Sequence, residues 1–154
     1  MDGTMPEANT DAVIEHVINM TRVFAAPREA VWKAWTERDQ VAAWMGPPGI
    51  KADVETWDFR VGGAYHLTML SEEKSPLGGE FLEIVDGRRL AMTWTWEFGV
   101  LEGVEMLVEL GFRDVDGGTE LTLTHTKLPT EKAHEMHTGG WEGCLAELEA
   151  HIAV

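Results

Sequence analysis

The chain has 154 residues, 44% of them hydrophobic, with seven tryptophans; this suits one domain with a true core and excludes a disordered polymer. Twelve Lys and Arg stand against 27 Asp and Glu, a net charge of −15, which repels phosphate backbones and anionic membrane surfaces and excludes nucleic acid as an expected partner. The single cysteine, Cys144, excludes an internal disulfide and fits a reducing compartment. The acidic N-terminus shows no signal-peptide pattern and no stretch approaches the ~20 apolar residues of a membrane span, so a cytoplasmic location without membrane insertion is expected.

Residues 1–13 are polar and read as a flexible leader, and residues 14–154 as a single domain. "EHVINMTRVF" alternates as a strand, with Ile18, Met20 and Phe24 on one side and Arg22 sharing that side. After Pro27, which suits a first helical turn, the period changes. Ala30, Val31, Ala34 and Trp35 lie three and four apart, as do Val41, Trp44 and Met45, predicting two short helices with a break near residues 37–39. "GPPG" at 46–49 ends the second helix, because a proline supplies no N–H to continue it.

From Lys51 to Thr126 the chain reads as six strands in a meander, separated by turn signals such as Asp-Gly and Gly-Gly. The last segment carries Trp141, Leu145, Leu148 and Ile152 at helical spacing, with Thr130 as N-cap. Leu90, Met92, Trp94 and Trp96 share one strand face. So do Met106, Val108, Leu110 and Phe112, and so do Leu121, Leu123 and His125. A wide antiparallel sheet with one apolar face and one long helix to cover it predicts a space between them.

The segments "TRVFAAPREAVWKAWTERDQVAAWMGPPG", "DFRVGGAYHLTM", "GEFLEIVDGRRLAMTWTW", "GGTELTLTHTKLP" and "GGWEGCLAELEAHI" together resemble the SRPBCC superfamily of START-like helix-grip domains. Within it they are most similar to the bacterial branch related to the C-terminal domain of the activator of the heat-shock chaperone (Hsp90) ATPase. The resemblance implies an α+β fold: a curved antiparallel sheet of about seven strands around a long C-terminal helix, with two short helices after the first strand. It also implies that Trp44 sits at the mouth of the cavity as a lid, and it leaves a homodimer open. Met45 stands where many relatives have a second tryptophan. Because members bind lipids, hormones and polyketides or serve chaperones, the fold alone does not assign the function.

No nucleophile motif, phosphate loop, dinucleotide fingerprint or cysteine metal cluster is present, and nothing in the sequence calls for a cofactor. His125, on the inward pattern of the last strand, is the one catalytic candidate, as a proton shuttle; the alternative is a histidine satisfied at the cavity rim. Arg22 would hold a ligand carboxylate, or pair with a carboxylate such as Asp58. Asp58 and Arg60 read as pinning a corner. His134 and His137 are three apart on the last helix, but two histidines at that spacing arise easily by chance, so no metal site is expected.

Trp44, Tyr65, Met69, Met92, Trp94, Trp96, Met106 and Trp141 are either core or the wall of an adaptable apolar pocket. The leading expectation is a small hydrophobic or aromatic ligand in that pocket, oriented by His125, Arg22 or Tyr65. A cyclase or hydro-lyase using the same cavity, and a protein-interaction module, are the alternatives.

Overall fold

The computed structural model describes residues 16–153, and the leader expected at residues 1–13 lies outside them. Strand β1 (His16–Phe24) is followed by helices α1 (Arg28–Thr36) and α2 (Arg38–Trp44). Six strands succeed them: β2 (Lys51–Trp57), β3 (Ala64–Leu70), β4 (Lys74–Val85), β5 (Arg89–Trp96), β6 (Met106–Val115) and β7 (Gly118–Leu128). A 3-10 turn at Gly99–Leu101 interrupts the connection from β5 to β6, and helix α3 (Glu131–Ala153) ends the described chain. Thr130 Oγ1 accepts the Ala133 N–H at 3.1 Å, the N-cap expected from sequence.

The strands form one antiparallel sheet in the order β1-β7-β6-β5-β4-β3-β2. Successive hairpins account for β2 to β7, and β1 joins by pairing with β7, with Arg22 opposite Leu121. Register shifts between His16 and Ile18, Val54 and Thr56, and Phe81 and Glu83 mark bulges, and bulges bend a strand and increase its twist. The curved sheet cradles α3, while α1 and α2 carry the chain from one sheet edge, β1, to the other, β2. This is the helix-grip architecture.

The break between α1 and α2 falls on Glu37, which is extended at φ −91° and ψ 126°. The last turn of a helix leaves carbonyls without partners, and here two indoles supply them. Trp44 Nε1 donates to Ala34 O at 2.7 Å, and Trp57 Nε1 donates to Thr36 O at 2.7 Å. Trp44 also packs edge-on against Trp35, with centroids 4.7 Å apart.

The Gly-Pro-Pro-Gly corner is fixed against α3. Gly46 adopts φ +132°, and a Cβ there would lie 2.5 Å from the Ile50 carbonyl oxygen. Across the contact, a Cβ on Gly143 would lie 3.0 Å from Pro48 Cδ, so the absent side chain is what admits the prolines. The core is continuous from Phe24 and Trp35 through Phe81, Leu110 and Leu123 to Leu148.

Candidate functional site

The predicted space exists as a cleft of about 290 Å³ between the sheet and the N-terminal half of α3. Strand β5 and its continuation supply Trp94, Trp96, Phe98 and Leu101; β3 supplies Met69. The corner contributes Pro47 and Ile50, and α3 contributes Met136, His137, Gly140, Trp141 and Cys144. Ser71, Ser75, Gly99 and Val100 complete the lining. Val100 is 93% exposed and Met136 54%, so the apolar surface continues outward onto the rim, where water covers it.

Among the described residues, no Lys, Arg, Asp or Glu lines the cleft. The serines are committed to the backbone, with Ser71 Oγ and Ser75 Oγ both donating to the Glu73 carbonyl. Cys144 is buried, and desolvation, against an opposing backbone hydrogen bond from Gly46, pushes its thiol up to about 11. It stands in the wall as a neutral thiol, which leaves it a poor nucleophile.

Two histidines lie behind and within the wall, and the structure fixes the tautomer of each. Trp141 Nε1 donates to His125 Nδ1 at 3.0 Å, so Nδ1 is an acceptor and the proton sits on Nε2, which has no partner. Trp96 Nε1 donates to His137 Nε2 at 2.9 Å, and His137 Nδ1 donates to Ala133 O at 2.9 Å. The two imidazoles meet at 4.9 Å. Burial, with the neighbouring His137 as a second cause, pushes the His125 pKa down to about 3, and burial also holds His137 below its ordinary value.

The structure divides the residues singled out from sequence. It brings Met69, Trp94, Trp96 and Trp141 together in the cleft wall. Met92 and Met106 are core residues elsewhere, 4% and 0% exposed. Tyr65 packs against Trp57 and Phe81, its hydroxyl donates to Thr93 O at 2.6 Å, and burial pushes its pKa up. Trp44 caps α1 and does not line the cleft; the expected lid is a strut, because its N–H is taken by Ala34 and its ring by Trp35.

His125 lies under the wall and is fully buried, away from the rim expected for it. Arg22 also lies outside the cleft, with Nη1 3.6 Å from Glu149 on α3. Its expected pairing with Asp58 is ruled out by topology, since β1 and β2 are opposite edges of the sheet. Asp58 instead holds Arg60 at 3.0 Å in the turn before β3. His134 reaches the Val17 carbonyl, and no group of three or more His, Cys, Asp or Glu able to hold a metal ion occurs among the described residues.

Pro47, Ile50, Phe98, Leu101, Met136 and Gly140 were not among the predicted site residues. Two signals point to some of them: Phe98 continues the alternation Trp94, Trp96, and Met136, Gly140 and Cys144 recur every four residues on one face of α3. Pro47, Ile50 and Leu101 reach the cleft from loops, whose direction no periodicity records.

No described helix is long and apolar enough to cross a membrane. Among curated proteins, none matches the chain. Among solved structures, protein CV1439 from Chromobacterium violaceum is 31% identical, with 88% of this chain and 96% of that one covered at a TM-score of 0.82. The AHSA1 protein from Silicibacter pomeroyi, 22% identical with 90% and 98% covered, superposes at 0.79. A protein from Arthrobacter aurescens, 22% identical with 89% and 86% covered, superposes at 0.80. The profile of the family described as activator of Hsp90 ATPase homolog 1-like protein matches residues 25–153, and the chain, with its seven-stranded helix-grip sheet, belongs to that family.

Proposed function

We propose that the protein binds a small hydrophobic or aromatic molecule in the cleft between its sheet and α3. The observation that carries this reading is a cleft of about 290 Å³, near the lower end of small-molecule pockets at roughly 300–1,000 Å³, whose wall holds, among the described residues, the rings of Trp94, Trp96, Phe98 and Trp141 and no Lys, Arg, Asp or Glu. Removal of apolar ligand surface from water supplies the affinity, and the rings give it shape. A one- or two-ring molecule fits this volume.

The arrangement does not favour the cyclase or hydro-lyase alternative. His125 has one nitrogen bonded to Trp141, lies outside the cleft lining, and is neutral far below physiological pH. The chaperone association in the family's name belongs to other members and forms no part of the proposal.

Native mass spectrometry of the purified protein, with denaturing extraction of any co-purified molecule and a tryptophan-fluorescence titration of aromatic candidates, tests it. The blocking variant is Gly140→Leu. Gly140 lines the cleft and a Cβ there meets nothing within 4 Å, so the position has room to start a side chain that takes up cleft volume. Binding that is present in the native chain and absent in Gly140→Leu is expected; equal binding in both refutes the site.

A further inference from the structure

Among the described residues the cleft wall bears no formal charge, so the character of its surface is set by its rings. Trp94, Trp96 and Phe98 lie at alternate positions and stand at right angles in succession. Trp94 and Trp96 are 6.0 Å apart at 89°, and Trp96 and Phe98 are 5.6 Å apart at 87°. Trp141 closes on Trp94 at 5.0 Å. An indole presents a negative face and a positive N–H edge. In this wall two of the positive ends are occupied, Trp96 giving its N–H to His137 and Trp141 giving its N–H to His125, and the third, Trp94 Nε1, is buried without a partner. With those N–H groups occupied or buried, the rings offer the cleft their π systems and C–H edges.

Among the described residues an anionic head group finds no cationic side chain there, and the one unpartnered indole N–H, Trp94 Nε1, is buried. Burial keeps His137 neutral and Cys144 protonated, so neither changes this. The surroundings have the same sign. The turn that brings Ser71 and Ser75 to the lining carries Glu72 and Glu73 with Lys74, and Glu102 follows Leu101, all exposed, on a chain of net charge −15. Such a field raises the local concentration of cations at the mouth.

We propose that the ligand of this cleft is a lipophilic cation: a compact apolar body carrying a protonated amine or quaternary ammonium group, seated against the faces of Trp94, Trp96 and Phe98. The assignment rests on the cleft being a small-molecule site, as proposed above, and adds the charge class of what it takes.

The test uses the intact chain and two probes of one shape: benzyltrimethylammonium and its uncharged carbon isostere, neopentylbenzene. Both are titrated calorimetrically at about 0.15 M and about 0.5 M salt into the native chain, Gly140→Leu, Trp96→Leu and Phe98→Leu. Phe98→Leu breaks no side-chain hydrogen bond and covers the case in which Trp96→Leu fails to fold. The cation is expected to bind roughly tenfold tighter than the isostere, a preference that persists at the higher salt and shrinks to about twofold or less in Trp96→Leu or Phe98→Leu.

An isostere that binds as tightly as the cation, with both blocked by Gly140→Leu, overturns the charge assignment and leaves the site standing. Cation binding that survives Gly140→Leu and vanishes at the higher salt is counterion binding to the acidic surface, and also overturns it. Failure of both probes to bind overturns the assignment together with the site.

Discussion

Acidification is expected to loosen the fold through its buried histidines, His125 foremost. His125 is fully buried and accepts from Trp141, with its pKa pushed from 6.5 down to about 3. Because the folded value lies below the unfolded one, the unfolded chain takes up the proton first. The contribution is fully present above pH 6.5 and is lost as the pH falls through the window from 6.5 to about 3. At about pH 5 the chain is about 1.5 units into that window. At about 1.4 kcal/mol per unit, the loss from His125 alone is about 2 kcal/mol.

The comparison variant is His125→Asn, whose side-chain oxygen can still accept from Trp141 but does not titrate. Urea unfolding at about pH 7 and about pH 5 then isolates the residue: the native chain should lose about 2 kcal/mol more than the variant between the two conditions. His137, shifted in the same direction, contributes to both proteins and drops out to first order. Equal losses would refute the reasoning, since they would mean that His125 is as protonatable in the fold as in the unfolded chain.

His66 has the opposite sign. It bridges Glu97 at 3.0 Å and Glu55 at 2.7 Å on the outer sheet face, and these bonds, Glu97 foremost, raise its pKa; its contribution is fully present below about pH 6.5 and is lost as the pH rises through the folded value. An NMR titration of its ring should give a midpoint above 6.5, returning towards it in Glu97→Gln. Trp44→Phe keeps a ring but leaves the buried Ala34 carbonyl without its donor, an expected cost of about 1–3 kcal/mol in chemical denaturation with ligand affinity unchanged. Gly140→Ala should raise stability by up to about 1 kcal/mol, because the position is mid-helix and the added methyl meets nothing.

Element order was legible because each element carries its own local signal. The two short helices, the break at Glu37, the six-strand meander and the Thr130 cap all follow from periodicity, proline and turn chemistry within a few residues. The cleft was legible at Met69 of β3, along β5 and on α3, where alternation or helical spacing puts Trp94, Trp96 and Trp141 on facing surfaces. Other properties depend on pairs that local sequence does not show. Trp44 finds its acceptor in the Ala34 carbonyl ten residues earlier, and His125 its donor in an indole on another element. Arg22 illustrates the same limit: its partner is Glu149 because the chain order of the strands is not their order in the sheet.

That strand order also bears on how the chain is assembled on the ribosome. Strands β3 to β7 can each zip onto the one before as they emerge, but β1 has its partner, β7, at the far end of the sequence, with His16 opposite Leu128. At about 5–20 residues per second, β1 waits roughly 5–20 s after synthesis for a strand to pair with. Throughout that interval its backbone N–H and C=O groups are an open edge, flanked by Val17 and Val23, which stay half exposed even in the finished sheet. The nascent β1 is therefore prone to wrong pairing along both sides, and delivery of β7 closes one of them, leaving the other as the edge of the finished sheet.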